Sequence, residues 1–177
     1  FEYGPVVVAN VVLRNWRFLE KLGITAAMYQ DGEFGFQCNI RQPLNIGGYA
    51  APFDPDKPTV MTFYAPMLKP GVSAREQSAQ SRWEMFATPY LDYEQRIIRQ
   101  MQKLFTRGGF DPARDVAGIT INRWGHAFSV PWPGVIHGLN GQPSVAGRLR
   151  EGHGRILFSI GELHGMQGFV GGFNEGL

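Results

Sequence analysis

The chain has 177 residues, 44% of them hydrophobic and 13% aromatic, with a formal net charge of +2. That length suits one domain, or one lobe with a short return segment, at roughly 100–200 residues per domain. The apolar content excludes a disordered chain, and a near-balanced charge with no basic run among aromatics argues against a nucleic-acid partner. In chain order, Val6–Leu13 is rich in β-branched residues and predicts a buried strand. Arg14–Leu22 reads as a short helix with Trp16, Leu19 and Leu22 on one face and Gly23 just past its end. Between Tyr29 and Tyr49, polar turns at Asp31-Gly32 and Gly47-Gly48 separate short aromatic strands, and Pro52, Pro55 and Pro58 mark a surface loop. Thr59–Tyr64 alternates as a strand up to Pro66.

Ser73-Ala74-Arg75-Glu76 has the form of a capping box, so a helix is expected from there to about Ala87. Thr88-Pro89 is expected to open a second helix, with Thr as N-cap and Pro at the first helical position. Its apolar positions Tyr90, Tyr93, Ile97, Met101, Leu104 and Phe105 recur at helical spacing, and Gly108-Gly109 ends it. Ala117–Trp124 alternates as a strand with Ile119 and Ile121 on one side. Pro131–Gly154 is rich in Gly and Pro and is expected to be mostly loop. Arg155–Ile160 reads as a last strand, followed by a Gly-rich helix. The irregular mixture of strands and helices, without βαβ alternation or internal repeats, places the fold in the α+β class.

The single cysteine, Cys38, excludes an intramolecular disulfide framework and a multi-cysteine metal site, and reads as a buried inert thiol. No apolar run approaches the ~20 residues of a membrane helix, so no membrane span is expected. There is no signal-peptide pattern either. Because the chain starts with Phe in a strand-like run and ends in a helix-like one, both ends are expected to be cut. The compartment stays open between periplasm and cytoplasm, since any targeting signal would lie upstream.

The closing segment carries the candidate chemistry. An apolar run ends at Glu162 and leads into Leu163-His164-Gly165-Met166-Gln167-Gly168-Phe169-Val170-Gly171-Gly172. Each glycine inside a helix costs about 1 kcal/mol relative to alanine, so a glycine-rich helix start implies close backbone approach to a neighbour. That neighbour is either a packed element or a ligand drawn to the free N–H groups and the positive dipole end. No GxGxxG occurs in the chain, so a complete dinucleotide site is not encoded here.

Several segments in this order resemble the C-terminal part of flavin-dependent amine oxidoreductases, especially spermidine-dehydrogenase-like proteins. They are Asn10–Trp16, Gly109–Asp115, Ile119-Thr120-Ile121-Asn122-Arg123-Trp124-Gly125-His126, and the closing Phe158–Gly176. The resemblance implies a substrate-binding lobe over residues 1–154, and over 155–177 the returning strand and helix of a FAD-binding domain. It implies FAD as cofactor, an N-terminal FAD-binding half as partner (in the same chain or another subunit), and a small-molecule amine, such as a polyamine, as substrate. Carried over by position, Glu162 is the acidic residue ending the last flavin-domain strand. Gly168 and Phe169 start the helix beside the flavin ring, with Met166 and Gln167 in the same turn. Trp124 is an aromatic on the strand leading to the flavin face, and Phe128 stands where an aromatic-wall residue is expected. Independently of the resemblance, His126 follows Trp124 past the strand and reads as a cavity-lining proton-relay candidate. The sequence departs from the family at Gly125, where Pro is common, and at Phe128 and Phe169, where Tyr is frequent.

Bland readings stand beside these. His126 also reads as a hydrogen-bonded strand-end residue. His137, His153 and His164 lack metal spacing, the first two reading as surface residues and His164 either as a helix-start surface residue or as one within reach of the cofactor. Asp31, Glu33, Glu84, Asp92 and Glu94 are candidates to meet a polyamine, and equally read as solvated charges. Two other functions remain open on the same fold. One is a desaturase or isomerase acting on a hydrophobic substrate, and the other is a non-catalytic assembly subunit.

Overall fold

A computed structural model describes residues 1–41, 44–50, 53–130, 132–164 and 168–176. The expected α+β class is observed: a five-stranded sheet combines with helices that do not alternate regularly with the strands. The strands are β1 (Tyr3–Leu13), β2 (Ala26–Met28), β3 (Gln37–Ile40), β4 (Thr59–Pro66) and β5 (Val116–Ser129), in the order β2-β3-β4-β1-β5. The pairs β1–β4, β4–β3 and β3–β2 are antiparallel.

The chain divides into two compact units. One comprises residues 6–66 and 84–124, and the other residues 1–5, 67–83 and 125–177. In the first unit, β1 buries one face rather than both: Val7, Ala9, Val11 and Leu13 are buried, while Val12 is exposed. The register sets Ala9 opposite Phe63 and Val11 opposite Met61, all four buried, so alternate residues of β1 and β4 build the core. On the other face Thr62 donates its hydroxyl to Asn10 at 2.8 Å.

Helix α1 (Arg17–Leu22) starts three residues later than expected; before it, the N–H of Arg14 bonds the carbonyl of Asp115 at 2.8 Å and that of Trp16 the carbonyl of Pro55 at 2.9 Å. Its end matches the expectation. Gly23 has φ +68°, its N–H bonds Glu20 O at 2.9 Å, and Ile24 N–H reaches back to Leu19 O at 3.1 Å. These are the two bonds of a Schellman cap, which needs a residue that tolerates the left-handed conformation.

Helix α2 (Ala74–Ala87) begins at the expected capping box. Ser73 Oγ accepts from Glu76 N–H at 3.3 Å, and Glu76 Oε2 accepts from Ser73 N–H at 3.2 Å. Helix α3 (Tyr90–Phe105) buries Tyr93, Ile97, Met101 and Phe105 as its periodicity predicts. Its N-cap is Pro89, not Thr88. The Thr88 N–H and hydroxyl both bond the carbonyl of Glu84, which ties Thr88 to the last turn of α2. A 3₁₀ turn, Thr106–Gly108, follows α3 and meets α1. A methyl on Gly108 would run into the carbonyl of Phe18, so only glycine lets the two backbones approach there. Phe18, Phe105 and Phe110 form a ring cluster at this junction, with centroids 5.0–6.4 Å apart.

The short helix α4 (Pro112–Asp115) leads into β5. Asp115 is fully buried. Its carboxylate accepts from Asn15 Nδ2 at 3.0 Å, Asp111 N–H at 2.9 Å, and Arg114 Nε and Nη2 at 2.7 and 2.8 Å. Burial, the largest influence on this group, pushes its pKa up. The bonds from Arg114, the Asp111 N–H and Asn15 together outweigh burial and hold it below the ordinary carboxylate value. Two of the resemblance segments, Asn10–Trp16 and Gly109–Asp115, are thus joined through one buried carboxylate.

In the second unit, Phe128 and Val130 fill the space that a side chain at Gly4 of β1 would need, 2.8 and 3.0 Å from an ideal Cβ. The expected loop 131–154 contains a helix, α5 (Val145–Arg150), capped by Ser144 Oγ accepting from Gly147 N–H at 2.8 Å. The expected strand Arg155–Ile160 does not form. His153 and Ile156 close a tight turn through reciprocal backbone bonds of 2.9 and 3.0 Å, and the rest of the segment pairs with no strand. A 3₁₀ turn (Gly161–His164) and helix α6 (Phe169–Glu175) follow.

Candidate functional site

Strand β5 crosses from the first unit, which holds Trp124, into the second, where His126 and Phe128 alternate onto one face about 7 Å apart. Their surroundings differ. Trp124 is 58% exposed and His126 is exposed, whereas Phe128 is half-buried and its ring tip lies against Gly4. Phe128 therefore acts as a packing residue over the β1 backbone rather than as an open wall.

The odd-numbered neighbour Arg123 has a structural task that sequence reading did not assign. Its Nη2 donates to Thr88 O at 3.0 Å, and its guanidinium lies 5.3 Å from the centroid of the Tyr93 ring. The Tyr93 hydroxyl in turn donates to Met85 O at 3.0 Å. Arg123 thus ties β5 to the junction of α2 and α3, while its neighbours Asn122 and Trp124 remain exposed.

In the closing segment, Glu162 sits in a 3₁₀ turn rather than at a strand end, and its Oε1 accepts from the Tyr3 hydroxyl at 3.0 Å. Burial and, after it, this carboxylate raise the Tyr3 pKa. Gly168 is the N-cap of α6, with open space where a Cβ would stand. Gly171 and Gly172 lie against Gly161, with ideal Cβ positions 3.4 and 3.5 Å from its backbone, and Ser159 Oγ donates to Gly172 O. An added Cβ at either position would stand at ordinary van der Waals distance, so the packing of α6 on the 3₁₀ turn does not itself require glycine there. Phe169 begins α6, while Met166 and Gln167 lie outside the described residues.

These residues fit FAD only at an edge. Glu162 offers an acceptor for a ligand hydroxyl and Gly168 an uncovered backbone. Helix α6 is only seven residues long, and among the described residues none supplies the glycine-rich turn that holds a diphosphate.

His137, His153 and His164 are exposed, as are Asp31, Glu84 and Asp92. Glu33 pairs with Arg99 at the surface, and Glu94 is half-buried on α3. Among the described residues no cluster of three or more His, Cys, Asp or Glu side chains has metal-binding geometry. No helix among them is long and apolar enough to cross a membrane. Cys38 is buried, and burial pushes its thiol pKa up to about 12, in keeping with an inert thiol. Sequence reading also missed a basic cavity in the first unit. Its signal was the i, i+4 pair Arg17 and Lys21 on α1.

No protein-family model matches the chain, and no curated protein matches it.

Proposed function

We propose that the chain is the substrate lobe and closing segment of a flavin-dependent amine oxidoreductase, completed by a FAD-binding half outside this sequence. The observation that supports this reading best is the division of labour in Asn122–His126. Arg123 is committed to Thr88 and Tyr93, whereas Trp124, at 58% exposure, and His126 face solvent.

FAD, when bound, supplies the hydride acceptor. The tasks left to this chain are positioning and exclusion of water. Trp124 offers a flat apolar face against which a neutral amine is held, and the His126 imidazole accepts or returns a proton at the substrate nitrogen. Glu162, which accepts from Tyr3, lies in the closing segment that would meet the cofactor.

The test is to purify the complete protein, this chain with its FAD-binding half, and record its visible spectrum before and after anaerobic addition of spermidine. Flavin bands that bleach with the amine are expected. A colourless protein overturns the proposal. A flavin that no amine reduces favours instead the non-catalytic or the desaturase-type reading.

A further inference from the structure

Within the first unit, α1, the 3₁₀ turn after α3 and α4 enclose a cavity of about 290 Å³ lined by Asn15, Arg17, Phe18, Lys21, Gly108, Gly109 and Arg114. Three of these residues are cations and none is an acid. Four carboxylates lie near the two arginines: Asp56 pairs with Arg17 and the buried Asp115 with Arg114, while Asp54 and Asp111 act on them without a direct bond. Lys21 has no hydrogen-bond or ion-pair partner among the described residues, and its ammonium stands 3.8 Å from the position of a Cβ on Gly109.

The arginines also have donors to spare. Arg17 uses Nε on Asp56, and Arg114 uses Nε and Nη2 on Asp115 and on the carbonyl of Gly109. That leaves both terminal nitrogens of Arg17 and Nη1 of Arg114 unused among the described residues. The pKa values of both arginines are raised, chiefly by their bonds to Asp56 and Asp115, and the Arg114 charge opposes this only in part at Arg17. A concavity lined by one sign of charge draws a counter-ion.

The floor is built to stay open. Gly108 lets the turn pack directly on the α1 backbone, and Gly109, at φ +86°, carries no side chain beneath the Lys21 ammonium. The volume lies at the lower end of the roughly 300–1,000 Å³ that drug-sized ligands occupy. It suits a small ligand or the charged end of a larger one.

We propose that this cavity binds a small oxyanion, the phosphate or carboxylate group of a metabolite, between Lys21, Arg17 and Arg114. The two terminal nitrogens of Arg17 give bidentate contact to two oxygens, Nη1 of Arg114 adds a single contact, and the lysine adds a point charge. The site is independent of the flavin reading, since it uses none of Trp124, His126 or Glu162, and it stands or falls separately.

Isothermal titration of the protein at low ionic strength with inorganic phosphate, sodium acetate and sodium chloride tests it. Saturable binding of phosphate or acetate, well above chloride, is expected. The preferred anion then distinguishes a phosphate-bearing from a carboxylate-bearing ligand. Lys21→Gln, at an exposed position, is expected to weaken binding about tenfold by removing one charge-assisted contact. Arg17→Gln is the second variant and is expected to weaken binding similarly. Phosphate and acetate heats no larger than those of chloride overturn the proposal. So does a correctly folded pair of variants that titrate like the original protein.

Discussion

Replacing Asp115 with asparagine tests the claim that this buried carboxylate joins α1, α4 and the start of β5. The substitution keeps the shape but removes the charge, and it turns an amide N–H toward a site that already holds four donors at 2.7–3.0 Å. At least one buried N–H loses its acceptor, at about 1–3 kcal/mol per unmet group. Breaking a fully buried pair costs roughly 3–5 kcal/mol. Because the Arg114 side chain is 61% exposed, solvent replaces part of that interaction. The expected loss is therefore about 2–4 kcal/mol. At ~2–4 °C per kcal/mol for a chain of this size, Tm falls by roughly 4–16 °C at pH 7.

The pH dependence supplies a second readout. The folded pKa of Asp115 lies below its unfolded value, so its stabilisation is complete above the unfolded value of about 3.9. It is lost as pH falls through the lower folded value. Thermal melts followed by circular dichroism should show a gap between the two proteins that is constant at pH 5–7 and shrinks below about pH 4. A Tm within about 2 °C of the original at pH 7, or a gap indifferent to acid, would refute the reasoning.

Three further outcomes are expected. Tyr93→Phe keeps the ring beneath Arg123 but removes the donor to Met85 O, and urea denaturation should report a loss of about 1–2 kcal/mol; an unchanged midpoint would deny that bond any weight. With its thiol at about 12 and buried, Cys38 should react with iodoacetamide at pH 8 only when urea opens the fold; equal labelling rates in native and unfolded protein would contradict its burial. Trp124→Ala should leave Tm within about 2 °C, since the side chain is 58% exposed, yet slow flavin reduction by amine in the complete protein at least tenfold. An unaffected reduction rate would remove Trp124 from the substrate wall.

Much of the fold was legible where the deciding interaction is local. The capping box at Ser73 and Glu76 and the glycine after α1 are settled within a few residues, and both formed as read. Thr88 does not cap α3 because its N–H and its hydroxyl both donate to the carbonyl of Glu84, which holds it in the last turn of α2. Ile156, Leu157 and Phe158 have strand-like composition, but a strand needs a partner edge, and no local pattern reports whether one is available. All three are exposed. Helix α5 was hidden by the glycines and prolines around it, although Ser144 was its visible cap. Of the candidate site, period-two alternation alone put His126 and Phe128 on one face. That Phe128 is taken up by Gly4 depends on a contact 124 residues away in sequence, which spacing cannot disclose.

The strand order has a consequence for the nascent chain. β1 lies between β4 and β5, but β4 ends at Pro66 and β5 begins only at Val116. At ~5–20 residues per second, the ribosome needs several seconds to deliver the second neighbour. During that interval β1, with its run of valines, presents an unpaired edge of the kind that recruits other chains. A chaperone that shields extended apolar segments would therefore matter most for this protein between the synthesis of β4 and that of β5.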